Sequence, residues 1–111
     1  MLEKTPFRTE VHGIAPGTSL LTLSGDLDYD TAAELFTLAR DLFAGDVRHL
    51  DLDLSGLDFI DSSGVAALIN VYNAAGEHDA TMRIVALTSY LRHLFRVTAL
   101  DQVFALPPKE E

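Results

Sequence analysis

The chain has 111 residues, 48% of them hydrophobic and 23% charged, with no cysteine, eight Lys plus Arg against seventeen Asp plus Glu, and a net charge of −9. That balance describes one globular domain over 1–111, with an ordered core over about 7–106, and it excludes disulfides, thiol catalysis and cysteine-ligated metal centres. The negative charge repels phosphate backbones, so no nucleic-acid partner is expected. Residues 1–6 carry no apolar signal segment, and no apolar run approaches the roughly 18 residues of a membrane helix, so the expected location is cytoplasmic with no membrane span.

Along the chain, Phe7 to Ile14 and Ser19 to Gly25 read as two strands paired in a hairpin, because Ala15-Pro16-Gly17 between them supplies turn geometry. Thr31-Ala-Ala-Glu34 has the form of a capping box and predicts a helix starting near residue 31. Ala32, Leu35, Phe36, Ala39, Leu42 and Phe43 follow at three- and four-residue spacing, and Gly45 is placed to end that helix. From Val47 to Leu54 the pattern alternates: Leu50, Leu52 and Leu54 share one face and Asp51 and Asp53 the other, which predicts a strand covered on one side only. A second helix is expected from Ser63 to Ala75 with Val65, Leu68, Ile69 and Tyr72 as its buried stripe, then a strand over Thr81 to Leu87. A third helix over Ser89 to Ala99 and a short last strand over Val103 to Leu106 complete the order.

The predicted class is therefore α/β, with a mixed sheet of four to five strands and helices mainly on one face. Its core is expected to include Leu21, Leu23, Leu35, Leu42, Leu50, Leu52, Leu54, Val65, Leu68, Ile69, Ile84 and Leu94. Loops that leave the carboxyl ends of parallel strands emerge on one rim, where open α/β sheets place their sites. The loops around Asp26-Leu-Asp28-Tyr-Asp30, Asp58 to Gly64 and Thr88-Ser89 are thus expected to be neighbours. Within them, Asp61-Ser62-Ser63-Gly64 opens a helix, where hydroxyls cap and anions meet a favourable dipole. Ser62 is accordingly either a cap or a phosphorylation site, since a helix N-terminus holds the roughly −1.5 to −2 charges of a phosphoserine without unfolding. Asp26, Asp28, Asp30, Asp58 and Asp61 make this an acidic rim, and the loops themselves contain no Lys or Arg.

Enzyme signatures are lacking. A nucleophile elbow needs glycine two residues before Ser62, where the chain has Ile60. The only lysines are Lys4 and Lys109, in the two tails, so the lysine that a phospho-accepting receiver domain needs at a late strand end is missing. His12, His49, His78 and His93 share no ligand spacing, and there is no Walker loop or dinucleotide fingerprint. Asp26, Asp28 and Asp61 offer the oxygen ligands that an adventitious hard cation favours; no resident metal or cofactor is expected.

Gly25-Asp-Leu-Asp28 before one helix, and Leu52-Asp-Leu-Ser-Gly-Leu-Asp-Phe-Ile-Asp61-Ser62-Ser63-Gly64 before the next, resemble the STAS domain family and specifically its anti-sigma factor antagonists. The resemblance implies a non-enzymatic partner-switching regulator of sigma-factor-dependent transcription. Its partner is an anti-sigma factor that is also a serine/threonine kinase and phosphorylates the serine after the aspartate, here Ser62. The unphosphorylated form binds that kinase, the phosphorylated form is released, and a metal-dependent serine phosphatase resets the switch. Burying two extra charges in an interface without new cations costs about 3 to 4 kcal/mol, or about 150- to 1000-fold in affinity. By the same resemblance Asp28, Asp61, Ser62, Ser63 and Gly64 form the partner-binding surface, with Ser63 as the helix cap. The family often has Gly where the third helix ends, and this chain has Ala99-Leu100. Other members of the family act as scaffolds in stress-signalling assemblies or small subunits of lipid-transport complexes, in which case Ser62 is a structural helix cap.

Overall fold

The computed structural model describes residues 3–109. Four strands form one mixed sheet in the order β1-β2-β3-β4: β1 (Arg8–Ala15) runs antiparallel to β2 (Thr18–Leu27), while β2, β3 (His49–Ile60) and β4 (Thr81–Ala86) are mutually parallel. The hairpin turns where its Pro-Gly signal lies, with Gly17 at φ +77, a left-handed angle that a Cβ disfavours. Helix α1 (Ala32–Ala44) connects β2 to β3, α2 (Ser62–Glu77) connects β3 to β4, and α3 (Ser89–Val97) follows β4. This is the expected α/β class.

Alternation decides which side of the sheet is covered. Leu21, Leu23 and Leu27 of β2 and Leu50, Leu52 and Leu54 of β3 are buried and pack with Leu35, Ala39 and Phe43 of α1 and Leu68, Val71 and Ala75 of α2. Burying each large apolar side chain is worth about 1.5–3 kcal/mol, so this face fixes the register of the whole sheet. On the opposite face Arg8, Glu10, Thr22 and Asp53 line a solvent-open hollow. Asp51 on that face is buried, and Arg83, its cross-strand partner, donates to it from Nε at 2.8 Å.

Three expectations need correction. The buried stripe of α2 is Gly64, Ala67, Leu68, Val71, Ala74 and Ala75, whereas Val65 and Ile69 are half-buried and Tyr72 is exposed. Small residues let α2 lie close against α1 and the sheet, and that close approach outweighs the larger apolar side chains of the adjacent face. Leu42 and Leu94, also expected in the core, are likewise half-buried against its edge. Residues 103–106 form no strand: a 3-10 turn at Leu100–Gln102 follows α3, and Phe104 is buried edge-on to Phe95 at 5.6 Å and to Tyr72 at 6.0 Å.

Strand β3 also runs six residues beyond the alternating segment that ends at Leu54, reaching Ile60. Irregular register between β2 and β3 absorbs the break at Ser55-Gly56. Gly56 there lies so close to β2 that a Cβ would stand 2.9 Å from that of Ser24. The extension pairs Ile60 with Leu27, so the two strands end side by side and the segments that follow them start as neighbours.

Candidate functional site

The site is built where β2 and β3 end. The Asp61 amide donates to the Leu27 carbonyl at 3.2 Å, joining the two strand ends directly. The Asp61 carboxylate then holds both loops: Oδ1 accepts the Gly64 amide at 2.9 Å, and Oδ2 accepts the Tyr29 amide at 3.2 Å. Asp61 is thereby the N-cap of α2, in the extended conformation a cap requires. Ser63 does not cap this helix: it lies inside α2, two residues past the N-cap Asp61, whose side chain accepts the Gly64 amide. Ser62 is not the cap either. It is the first residue of α2 and is exposed, with its hydroxyl outside the capping bond.

Gly64 is buried beneath this turn. A Cβ at position 64 would fall on the Leu27 carbonyl oxygen and stand 2.7 Å from Ile60 Cγ1. The glycine therefore sets how closely α2 starts against the ends of β2 and β3. Ser63 lines a groove between α1 and α2 together with Tyr29, Ala33, Phe36, Ala67 and Asn70. Tyr29 is 81% exposed at its mouth, next to Ser62 in the fold through the Asp61 bridge.

Asp28, expected to contribute to the partner-binding surface, lies beneath it. It is 5% exposed and organises its own loop: Oδ1 accepts the Asp30 amide at 3.0 Å, and Oδ2 lies 2.9 Å from Lys4 Nζ. The Thr31 hydroxyl accepts the Asp28 amide at 2.9 Å and lies 3.1 Å from the Asp26 carbonyl oxygen. Thr31 precedes α1 without making a side-chain cap, so the expected capping box with Glu34 does not form. The loop's own geometry claims that hydroxyl instead.

Lys4 supplies a cation that the loops lack. Its ammonium lies 2.9 Å from Asp28 and 2.7 Å from Asp30. Hydrogen bonding to Asp30 and then to Asp28 raises the Lys4 amine above the usual lysine range, and the bond from Lys4 holds the Asp28 carboxyl below its ordinary value. Of the three aspartates considered for a hard cation, Asp28 is paired with the Lys4 ammonium, Asp26 accepts the Thr5 amide, and Asp61 accepts the Tyr29 and Gly64 amides. Among the described residues no group of three or more acidic or histidine side chains is placed to hold a metal ion. Of the three loops expected on the rim, the first two are bonded together. The third starts α3 with Thr88 Oγ1 accepting the Leu91 amide at 3.1 Å, and Ser89 faces a separate hollow with Ser55, Arg92 and Pro107.

Two parallel crossovers and a capped serine turn on one rim define a STAS-type domain. Residues 12–108 match the family model described as Mlab, STAS domain, and the chain belongs to the STAS domain family. It is similar to the anti-sigma-F factor antagonist RsfB of Mycobacterium tuberculosis, with 29% identity over 90 residues that cover 81% of this chain and 73% of that protein. A crystal structure of an anti-sigma factor antagonist from Mycobacterium paratuberculosis superposes with a TM-score of 0.81 at 29% identity, covering 94% of this chain and 87% of that one. The unphosphorylated form of SpoIIAA has the same fold, with a TM-score of 0.76 at 16% identity over 92% of this chain and 90% of that one. Among the described residues no helix is long and apolar enough to cross a membrane.

Proposed function

We propose that this chain is an anti-sigma factor antagonist that acts by partner switching. Unphosphorylated, it binds an anti-sigma factor that is also a serine/threonine kinase; phosphorylated on Ser62, it lets that kinase go, and a serine phosphatase restores it. The role is regulatory binding and not catalysis, and it carries with it a cytoplasmic place of action. The observation that supports it most is the division of labour between Asp61 and Ser62: the aspartate caps α2, and the exposed serine is left outside the cap. A phosphate added at the first residue of a helix meets a favourable dipole, so the modification changes the surface while the fold persists. The mycobacterial relatives named as anti-sigma factor antagonists support the same reading over most of the chain.

The docking surface in this reading combines Ser62 with Ser63, the exposed ring of Tyr29 and the groove between α1 and α2. Asp28, Asp61 and Gly64 contribute by shaping it. The test is to incubate the purified protein with ATP and each anti-sigma kinase of its own genome and to map phosphate by mass spectrometry. A single phosphate on Ser62, absent from Ser62→Ala and abolishing kinase binding, is the expected result. No modification by any of these kinases, or equally tight binding by Ser62→Ala and Ser62→Asp, would overturn it.

A further inference from the structure

The segment 3–7 crosses the end of β2 as a strap. Asp26 donates its amide to the Thr5 carbonyl at 3.0 Å, and Thr5 donates its own amide to Asp26 Oδ2 at 3.1 Å. Gly25 has φ +84, and a Cβ there would fall on the Pro6 carbonyl oxygen, so the strap lies directly on the strand backbone. From it Lys4 reaches Asp28 and Asp30, the residues on either side of Tyr29. The Tyr29 amide is bonded to Asp61, whose other oxygen caps the helix that begins with Ser62.

We propose that Lys4 is a positioning residue for the Ser62 switch. Its ammonium clamps Asp28 and Asp30, the clamp fixes the Tyr29 amide, and Tyr29 with Asp61 sets how Ser62 is presented to the kinase. The inference rests on the proposed function for its consequence and on these contacts for its mechanism. Lys4 and the strap that carries it lie outside residues 12–108, the part of the chain that matches the family model, whereas Asp28 and Asp30 lie inside it. The cation is a feature of this chain's own strap, and it makes the switch sensitive to residues that the family pattern leaves out. Without the cation, Asp28 and Asp30 repel each other across Tyr29, and that repulsion works against the bonds from the Tyr29 and Asp30 amides that hold the loop.

Two readouts test this with the full chain. Amide hydrogen exchange at Tyr29 and Gly64 is compared between the wild type, Lys4→Gln and Lys4→Arg, and each protein is then used as substrate for the anti-sigma kinase. Lys4→Gln is expected to speed exchange at both amides and to raise KM for phosphorylation by about tenfold or more with kcat little changed, as the loss of a docking geometry used equally in the ground and transition states does. Lys4→Arg keeps the cation and restores both. Unchanged exchange in Lys4→Gln overturns the clamp. Faster exchange with unchanged KM, or a Lys4→Arg protein as defective as Lys4→Gln, overturns the positioning role. If the wild type is modified by no kinase, the proposed function falls, and the exchange data alone decide whether the clamp exists.

Discussion

Tyr29 and Asp61 are 32 residues apart, and the amide of the first donates to the carboxylate of the second at 3.2 Å. One side chain therefore sets both the loop that leaves β2 and the start of α2. Asp61→Ala removes the cap, worth about 1 kcal/mol with a range of about 0.5–2, and also orphans the Tyr29 amide. Asp61→Ser retains a capping oxygen and loses only the second bond. Urea denaturation is expected to rank the three proteins wild type, Asp61→Ser, Asp61→Ala in falling stability, and an Asp61→Ala protein as stable as wild type would remove the cap from the account.

Two residues past the end of α3 stands a residue poorly suited to its backbone. Ala99 has φ +60, in the left-handed region, and the 3-10 turn that follows delivers Phe104 onto Phe95. A Cβ in that region costs about 1–2 kcal/mol, part of which returns as the extra freedom glycine gives the unfolded chain. Ala99→Gly is expected to stabilise the domain by about 0.5–1 kcal/mol, seen as a higher Tm in calorimetry. A lower Tm would mean that the alanine methyl makes packing contacts worth more than the strain.

The order of elements and the two loops of the site were legible in the sequence because alternation, helical spacing and Gly or Pro punctuation agree there. The Leu50, Leu52, Leu54 strand and the turn at Pro16-Gly17 are of that kind. What escaped depends on contacts between distant residues. No local pattern tells that Lys4 meets Asp28 and Asp30, since 24 and 26 residues separate them and only the strap's path brings them together. The buried face of α2 was misjudged because Val65, Ile69 and Tyr72 outweigh alanines on any hydrophobic scale, while close helix packing selects the alanines. The run 103–106 is too short for periodicity to separate a strand from an irregular segment with one buried ring.

Ser62 is the first residue of α2 and is exposed, so its substitution is expected to leave the fold intact and to separate stability from binding. A carboxylate in the first turn of a helix gains about 0.3–1 kcal/mol from the dipole. Ser62→Asp is thus expected to be at least as stable as Ser62→Ala in urea while binding the anti-sigma kinase more weakly. If Ser62→Asp were the less stable of the two, repulsion from the neighbouring Asp61 would dominate, and weaker binding by that variant would no longer report charge alone.

The Lys4 clamp also has a pH signature. Asp28 has its carboxyl lowered from the ordinary value of 3.8 by the bond from Lys4, so the folded state holds the carboxylate more firmly than the unfolded chain does. The stabilisation is present above pH 3.8 and is lost as pH falls through the lower, folded value. Lys4 is shifted the other way, raised from 10.5, so its contribution is complete below pH 10.5 and is lost only in stronger base. The stability difference between wild type and Lys4→Gln is therefore expected to be flat from pH 5 to 9 and to shrink only below pH 3.8. Denaturation curves for both proteins at intervals between pH 3 and 9 measure it, and a difference that already declines between pH 7 and 5 would assign the effect to a group other than Asp28.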